Sequence, residues 1–446
     1  MPRPIFRHLT LTLSLACIPA CTQFQARPLS AKHELAVLES SRLSDAKLAQ
    51  FVRTTYGNKT WPPAAWNLDS LTIAALYFHP EVELARQEWR EAQAAMTTAR
   101  QLPNPSVTLS PAYGTSPGAG MSPWLAPVSF DWLLETTGKR TQRQEKARQL
   151  AESARQRYVA KANEVRAKVR AAMLDAFSAR STEVLMEKQQ AAREDLVKVM
   201  EGQLAVGEAK QVEVTHERVA REQTRLTLLD ANAKRQQAQV KLASAIGLPG
   251  RALEGVKISY AEFEHSRALP SSEVRRHALL YRADIQGALA DYAASEAALR
   301  LEVAKQYPDV HLGPGYQFDQ GQNKWGLNLT LELPVLNRNQ GGIAEAEAKR
   351  AQAAAKFRMV QNKVLGDIDS AIAALGTARE KEAAAHALVE QTDKQEKLTQ
   401  KLLSTGEIPR QTYLLARLES STAAQSMLEA QLKTQEAIGQ LEAALQ

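Results

Sequence analysis

The two halves of this 446-residue chain match one another at a constant offset of 203 residues. Tyr77-Phe78-His79-Pro80-Glu81-Val82 aligns with Leu280-Tyr281-Arg282-Ala283-Asp284-Ile285. Pro105, Val107, Leu109, Pro111 and Tyr113 fall without a gap on Pro308, Val310, Leu312, Pro314 and Tyr316, Val128 and Phe130 on Leu331 and Leu333, and Gly138 on Gly341. Farther along, the offset drifts to 199, where Val206-Gly207-Glu208 meets Thr405-Gly406-Glu407. A slip of four residues is about one helical turn. A period this long marks one folding unit duplicated.

Each unit opens on a helical stretch, 69 to 101 and 273 to 306, that the proline breaks Leu102-Pro103-Asn104-Pro105 and Tyr307-Pro308 end. Strands follow. Val310, Leu312, Pro314, Tyr316 and Phe318 alternate with His311, Gly313, Gly315, Gln317 and Asp319, the period of two that gives one apolar and one wet face. Leu327, Leu329, Leu331 and Leu333 likewise alternate with Asn328, Thr330 and Glu332. The first unit repeats the pattern with Val107 and Leu109, then Val128, Phe130 and Trp132, against Thr108, Ser129 and Asp131. Gly-, Pro- and Ser-rich loops at 114 to 126 and 319 to 325 join the pairs.

After each hairpin comes an uninterrupted helical stretch, from Lys139 to Ala205 and from Gly342 to Ser404, each long enough to extend about 100 Å. Val165, Val169, Met173 and Phe177, and Val360, Val364, Ile368, Ile372 and Leu375, recur at coiled-coil spacing. Aromatics make up only 6% of the chain, while Ala, Gln, Glu, Lys, Arg and Leu fill the helical stretches, which is long-helix composition. Gly207 and Gly406 mark the tips where the long helices reverse.

The net charge of +7 is interleaved along the helices rather than gathered in a basic stripe, which argues against nucleic acid as a partner. Arg3, Arg7 and His8 precede an apolar run from Leu9 to Ile18, the pattern of a secretory signal. Ile18-Pro19-Ala20-Cys21 is similar to a bacterial lipobox, with Pro19 a departure, so the expectation is cleavage before Cys21 and lipidation of that cysteine. No later segment carries eighteen consecutive apolar residues, so any membrane crossing is expected by strands. The expected fold is mostly α with a small transmembrane β part. Its divisions are a signal segment (1–20), an extended N-terminal periplasmic segment (21–66), a first repeat (67–265; β-hairpin 104–135, helical hairpin 139–247) and a second (266–446; β-hairpin 308–335, helical hairpin 341–446).

Four strands cannot close a barrel, because the smallest transmembrane barrels need eight. Several copies must therefore share one, and three copies supply twelve strands. In such a barrel His311, Gln317, Asn328, Thr330 and Glu332 face the pore and Leu327, Leu329 and Leu331 face lipid. Trp124, Trp132, Tyr316 and Trp325 sit near strand ends, where interfacial aromatics belong.

Leu102-Pro103-Asn104-Pro105 before the first strand, Glu135-Thr136-Thr137-Gly138-Lys139-Arg140 after the second, and Pro334-Val335-Leu336-Asn337-Arg338-Asn339-Gln340-Gly341 after the fourth recur at matching places. In these, and over the stretch from Asn67 to Gln446, the chain resembles the TolC-type outer-membrane factor family, in its heavy-metal CzcC/CusC-like branch. The resemblance implies a homotrimer in the outer membrane whose twelve-stranded β-barrel continues into a periplasmic α-barrel. It also implies an RND-type tripartite pump, in which the tips Val206, Gly207, Glu208, Thr405, Gly406 and Glu407 contact a periplasmic adaptor while an inner-membrane RND transporter feeds the duct. The implied cargo is heavy-metal cations, with drugs or organic solvents as the alternative. Family members often carry Val-Gly-Leu at the tips, so Glu208 and Glu407 are departures and stand as gate or docking candidates.

Enzymatic motifs are incomplete. His216-Glu217 opens a zinc-protease pattern, but residue 220 is Ala and the second helical ligand is missing. Gly138-Lys139 lacks the leading glycine and the Ser or Thr of a phosphate-binding loop and reads as a strand-to-helix turn. The eight histidines show no metal-ligand spacing, so no metal or cofactor is expected, and His311 is the single pore-facing histidine. The rival readings are a periplasmic adaptor, which would show one helical hairpin flanked by lipoyl-like strands, and a structural coiled-coil lipoprotein, which would lack the paired strands.

Overall fold

A computed structural model describes residues 22–57, 60–116, 118, 120–263, 272–319 and 321–446. The segment that ends at Arg42 is one unit and Leu43–Gln446 another. In the first, α1 (Ala31–Ser40) starts at Ser30, whose hydroxyl accepts from the His33 N–H. In the second, α2 (Ala46–Tyr56) starts at Asp45, whose carboxylate accepts from the Lys47 N–H. Side-chain acceptors of this kind satisfy the orphan donors of a first turn. These two helices lie within the stretch that the sequence reads as extended.

The opening helix of each repeat is two helices rather than one. α3 (Leu68–Phe78) and α4 (Pro80–Arg100) are separated by His79. Pro80 has no N–H to donate, and its ring drives the preceding residue out of helical geometry, so His79 takes φ −71° and ψ 123°. The His79 ring then accepts from the Glu81 N–H at 3.3 Å and caps α4. The counterpart break needs no proline. α7 (Ser272–Tyr281) and α8 (Ala283–Ala304) meet at Arg282, extended at φ −56° and ψ 143°. Its guanidinium pairs with Asp284 at 2.7 Å and donates to the Ala444 carbonyl at 2.6 Å.

The long helices are α5 (Lys139–Ala205) and α9 (Gln340–Ser404), and α6 (Gln211–Ile246) and α10 (Arg410–Leu445) return from their tips. Contacts arrange the helices of Leu43–Gln446 as four columns: α4 followed by α6, then α5, then α8 followed by α10, then α9. The breaks at His79 and Arg282 let short helices stack end to end beside unbroken ones. Leu71, Met173, Leu242 and Ile246 are fully buried where α3, α5 and α6 meet, each contributing about 1.5–3 kcal/mol. Val364, Ile368 and Leu375 of α9 pack on Ile438 and Leu441 of α10, as their spacing predicts. Near the tips Leu196 and Met200 of α5, Val214 of α6, and Leu414 and Leu418 of α10 form one cluster, which ties the two hairpins together.

The strands form one antiparallel sheet. β1 (Ser106–Leu109) and β2 (Ala112–Tyr113) both pair with β3 (Trp124–Leu134) in a continuous register, so Pro111, which has no N–H to give the ladder, interrupts a single predicted strand. β3 pairs with β4 (Val310–Asp319), joining the repeats, and β4 pairs with β5 (Gln322–Leu331). The order β1-β3-β4-β5 leaves β1 and β5 as open edges.

Candidate channel lining and helix tips

Register sorts the strand side chains onto two faces. His311 sits opposite Leu133 and Thr330, Gly313 opposite Asn328, and Gln317 opposite Lys324, so these share one face with Ser129 and Asp131. Leu312 sits opposite Trp132 and Leu329, Val310 opposite Leu331, and Pro314 opposite Leu327, forming the other face with Val107, Leu109 and Phe130. The sequence alternation therefore matches the pleat on all strands. Glu332 is the exception, because β5 ends at Leu331 and leaves Glu332 one residue past the last ladder pair.

The apolar face is uncovered: Leu327 is 66% exposed, Trp325 81%, and Leu109 and Trp132 are also exposed. A sheet in water would bury such a face. Tyr316 and Trp325 meet with tilted rings at 4.9 Å and Tyr113 and Trp124 edge to face at 5.1 Å, so aromatics gather toward the hairpin turns, while Trp132 lies toward the helices. Strands of ten and eleven residues match what a tilted strand needs to cross a bilayer. Among the described residues, no helix is long and apolar enough to cross a membrane.

The junction between sheet and helices is cross-braced. Lys139, buried at the start of α5, donates from Nζ to the Tyr307 carbonyl at 2.7 Å and to Asp309 at 2.8 Å. Asp309 also accepts from the Thr136 N–H at 2.9 Å. Burial pushes the Asp309 carboxyl up, but the Lys139 and Thr136 hydrogen bonds outweigh it and hold the group below the ordinary aspartate value. Gly138 is left-handed at φ +72° and turns the chain from β3 into α5, so Gly138-Lys139 is a strand-to-helix turn whose lysine ties the first repeat to the second. The sequence marks Thr136 to Lys139 as a motif but holds no signal for its partners some 170 residues away. Arg140 and Arg143 donate to the carbonyls of Arg100 and Ala99, capping the end of α4, and Arg143 also pairs with Glu135 at 2.6 Å.

The tips are built alike. Gly207 (φ +80°) donates to the Leu204 carbonyl and Glu208 to that of Gln203, while Gly406 (φ +78°) donates to Leu403 and Glu407 to Leu402. Both are Schellman turns, which need the left-handed residue that glycine supplies. Val206, Gly207, Glu208, Thr405, Gly406 and Glu407 are all exposed. Thr405 donates to Glu407 at 2.9 Å, so the two tips, equal in backbone, differ in how their glutamate is held. Cys21 lies outside the described residues. Among the described residues, no three His, Cys, Asp or Glu side chains are grouped as a metal site would require.

An uncovered apolar strand face with two open edges, carried on helical hairpins of about 100 Å, defines the class of outer-membrane efflux channels. The chain belongs to the outer membrane efflux protein family, whose model matches residues 73–248 and 274–445, one match per repeat. The cobalt-zinc-cadmium resistance protein CzcC of Cupriavidus metallidurans is 26% identical over 153 residues, covering 33% of this chain and 36% of CzcC. The pyoverdine export outer membrane protein OpmQ of Pseudomonas putida is 27% identical over 190 residues, covering 40% of this chain and 39% of OpmQ. The chain thus spans less than two fifths of the length of either relative in these matches. Among solved structures, CusC superposes with a TM-score of 0.69 at 18% identity, over 88% of this chain and 95% of CusC. The outer membrane protein VceC of Vibrio cholerae does so with a TM-score of 0.68 at 19% identity, over 85% and 95%. At these identities the likeness is one of fold.

Proposed function

We propose that three copies of this chain close into an outer-membrane duct, the exit channel of a tripartite RND-type efflux system. The observation that carries the reading is the pair of open edges. β1 and β5 each have one neighbour in the sheet, and the α4/α6 column and α9 each have one neighbouring column. A rotation that seats β5 on the next copy's β1 satisfies the unpaired strand edges that lipid would otherwise penalise by several kcal/mol per group. The same rotation brings α6 onto the next copy's α9. α6 carries an exposed heptad stripe of Val212, Val219, Leu226 and Val240, with Val212 77% exposed, and α9 carries exposed Met359, Leu388 and Leu398.

In the closed barrel His311, Gln317, Asn328, Thr330 and Glu332 face water and Leu327, Leu329 and Leu331 face lipid. The tips at Val206 to Glu208 and Thr405 to Glu407 meet a periplasmic adaptor, with Glu208 and Glu407 at the entrance. Lipidation of Cys21 anchors the amino end. The likeness to the metal-resistance protein CzcC supports heavy-metal cations as cargo. The likeness to the pyoverdine export outer membrane protein OpmQ supports a second reading, a small organic cargo. Purified protein in planar lipid is expected to form stable pores and to run as a heat-resistant trimer on gels. Monomers without conductance would end the channel reading. Deleting the gene and growing the strain on metals, siderophores and antibiotics separates the cargoes, and sensitivity to organic compounds alone would remove the metal assignment.

A further inference from the structure

The polar face of the sheet carries few charges. On the described strands they are Asp131, His311, Asp319 and Lys324. Asp319 and Lys324 neutralise one another at 2.7 Å beside the β4–β5 turn. At the other end, His311 Nδ1 stands 3.0 and 3.1 Å from the two oxygens of Asp131, and both side chains remain about half exposed. Their neighbours on that face carry no charge: Gly313 follows His311 two residues along β4, Leu133 and Thr330 stand opposite His311, and Ser129 lies two residues before Asp131 on β3. The pair therefore projects from a face whose other charges, Asp319 and Lys324, cancel at the far end.

We infer that the Asp131–His311 pair sets the ion preference of the membrane part of the duct and makes that preference depend on pH. The inference rests on the channel reading above. A neutral imidazole donates its Nδ1 proton to Asp131 and leaves the carboxylate's negative charge in place. A second proton, on Nε2, cancels that charge. The pair thus carries one negative charge when the imidazole is neutral and none when it is protonated, and imidazole is the type of side chain whose charge changes between pH 5 and 8. In the closed trimer these charges form a ring at one level of the duct.

Other charged groups face the same cleft of 610 Å³. Lys139 is tied to Asp309, Arg143 to Glu135, and Lys305 to Glu302. Glu332, beyond β5, lines the cleft too and adds a negative charge that the change at His311 does not remove. Tyr307 supplies only its carbonyl, to Lys139. The pair is thus the imidazole-bearing element of the cleft, set beside three compensated ion pairs and the constant charge of Glu332. One unit charge across several ångströms of water alters the preference for a permeant ion by about two- to threefold, and salt screens it.

The test is the reversal potential of purified pores in planar lipid under a potassium chloride gradient, at pH 8 and pH 5. The wild type should prefer cations at pH 8 and lose about two- to threefold of that preference at pH 5. His311→Gln should keep the preference at both pH values. Asp131→Asn should show a weaker cation preference than the wild type at pH 8, the part that Glu332 supports, and should lose that remainder at pH 5, where a protonated His311 offsets Glu332. Raising the salt to molar concentration should erase the differences, which a folding defect would not do. A wild-type preference equal at both pH values, or a pH response that persists in His311→Gln and so belongs to helix histidines such as His216 or His386, overturns the inference while leaving the channel reading intact. Absence of pores in the wild type overturns both.

Discussion

Replacing Gly247 by Ala tests whether the stacked short helices are held as tightly as their geometry implies. Gly247 caps α6 with φ +90°, a backbone conformation that costs a side-chain-bearing residue about 1–2 kcal/mol. A Cβ there would lie 2.8 Å from His79 Cα and from the Phe78 carbonyl oxygen. Those atoms are backbone, fixed by the break between α3 and α4, so no rotamer change relieves the overlap, and forced overpacking costs a further 1–3 kcal/mol or so. The expected loss is about 2–5 kcal/mol, large against the stability of a typical domain. Denaturant unfolding of the detergent-solubilised chain, followed by helical circular dichroism, reads it. The matched control is Gly202→Ala, exposed late in α5 with nothing within 4 Å of its would-be Cβ. Losing the entropic cost of a helical glycine should leave that variant unchanged or up to about 1 kcal/mol more stable. If Gly247→Ala unfolds with the wild type to within about 0.5 kcal/mol, scarcely more than a surface substitution produces, the close approach at His79 does not carry the stacking.

Three further outcomes follow from the same geometry. Trp132 lies opposite Leu312 within the chain, and shifting that pair by the repeat offset places Val335 opposite Leu109 of the next copy. Oxidised Val335→Cys/Leu109→Cys should therefore run as covalent oligomers, and equal cross-linking of Val335→Cys/Val107→Cys would refute the register. His79 is buried, and burial first, against the pull of Glu81, lowers its pKa, so the unfolded chain takes up its proton before the folded one does. Stability should thus fall as the pH drops below about 6.5, and His79→Asn, which keeps a cap, should flatten that fall; an unchanged slope would assign it elsewhere. Glu145, held at about 2 by Arg148 and then Gln149, keeps its contribution until far more acid conditions, so it does not blur this window. Lys139→Met strands a partly buried Asp309 and should cost about 1–3 kcal/mol, with Lys139→Met/Asp309→Asn recovering part of the loss in the same unfolding assay; additive losses would mean that the two groups act separately.

Much of this architecture was legible in the sequence because its period is physical. Alternation in Val310 to Asp319 and Asn328 to Leu331 survives as two faces because a strand repeats every two residues. The spacing of Val364, Ile368 and Leu375 survives as a buried seam because a helix returns after seven. What escaped was set by distant partners. The break at His79 has a local cause in Pro80, yet its counterpart at Arg282 depends on Asp284 and on the carbonyl of Ala444, more than 160 residues away. The charge pair of Asp131 and His311 is written in the alternation only as two polar residues on separate strands. Register alone brings them within 3.0 Å.

The duplication also explains why the halves cannot be interchangeable. Within the chain, the junction after β3 holds the end of α8 and the start of β4 through Thr136, Thr137 and Lys139. The repeat offset makes Asn339 the counterpart of Thr136, Gly342 that of Lys139 and Ser106 that of Asp309. Asn339 does turn the chain, at φ +58°, and it donates to the carbonyl and carboxylate of Glu302, again at the end of α8. Gly342 and Ser106, however, cannot form an ion pair. The strong cross-brace therefore exists only where both partners lie on one polypeptide. In the proposed trimer the corresponding seam between copies would rest on strand pairing and on the exposed apolar stripes of α6 and α9. In that trimer each copy's own sheet and shaft would be braced by side-chain ion pairing that the seam between copies lacks.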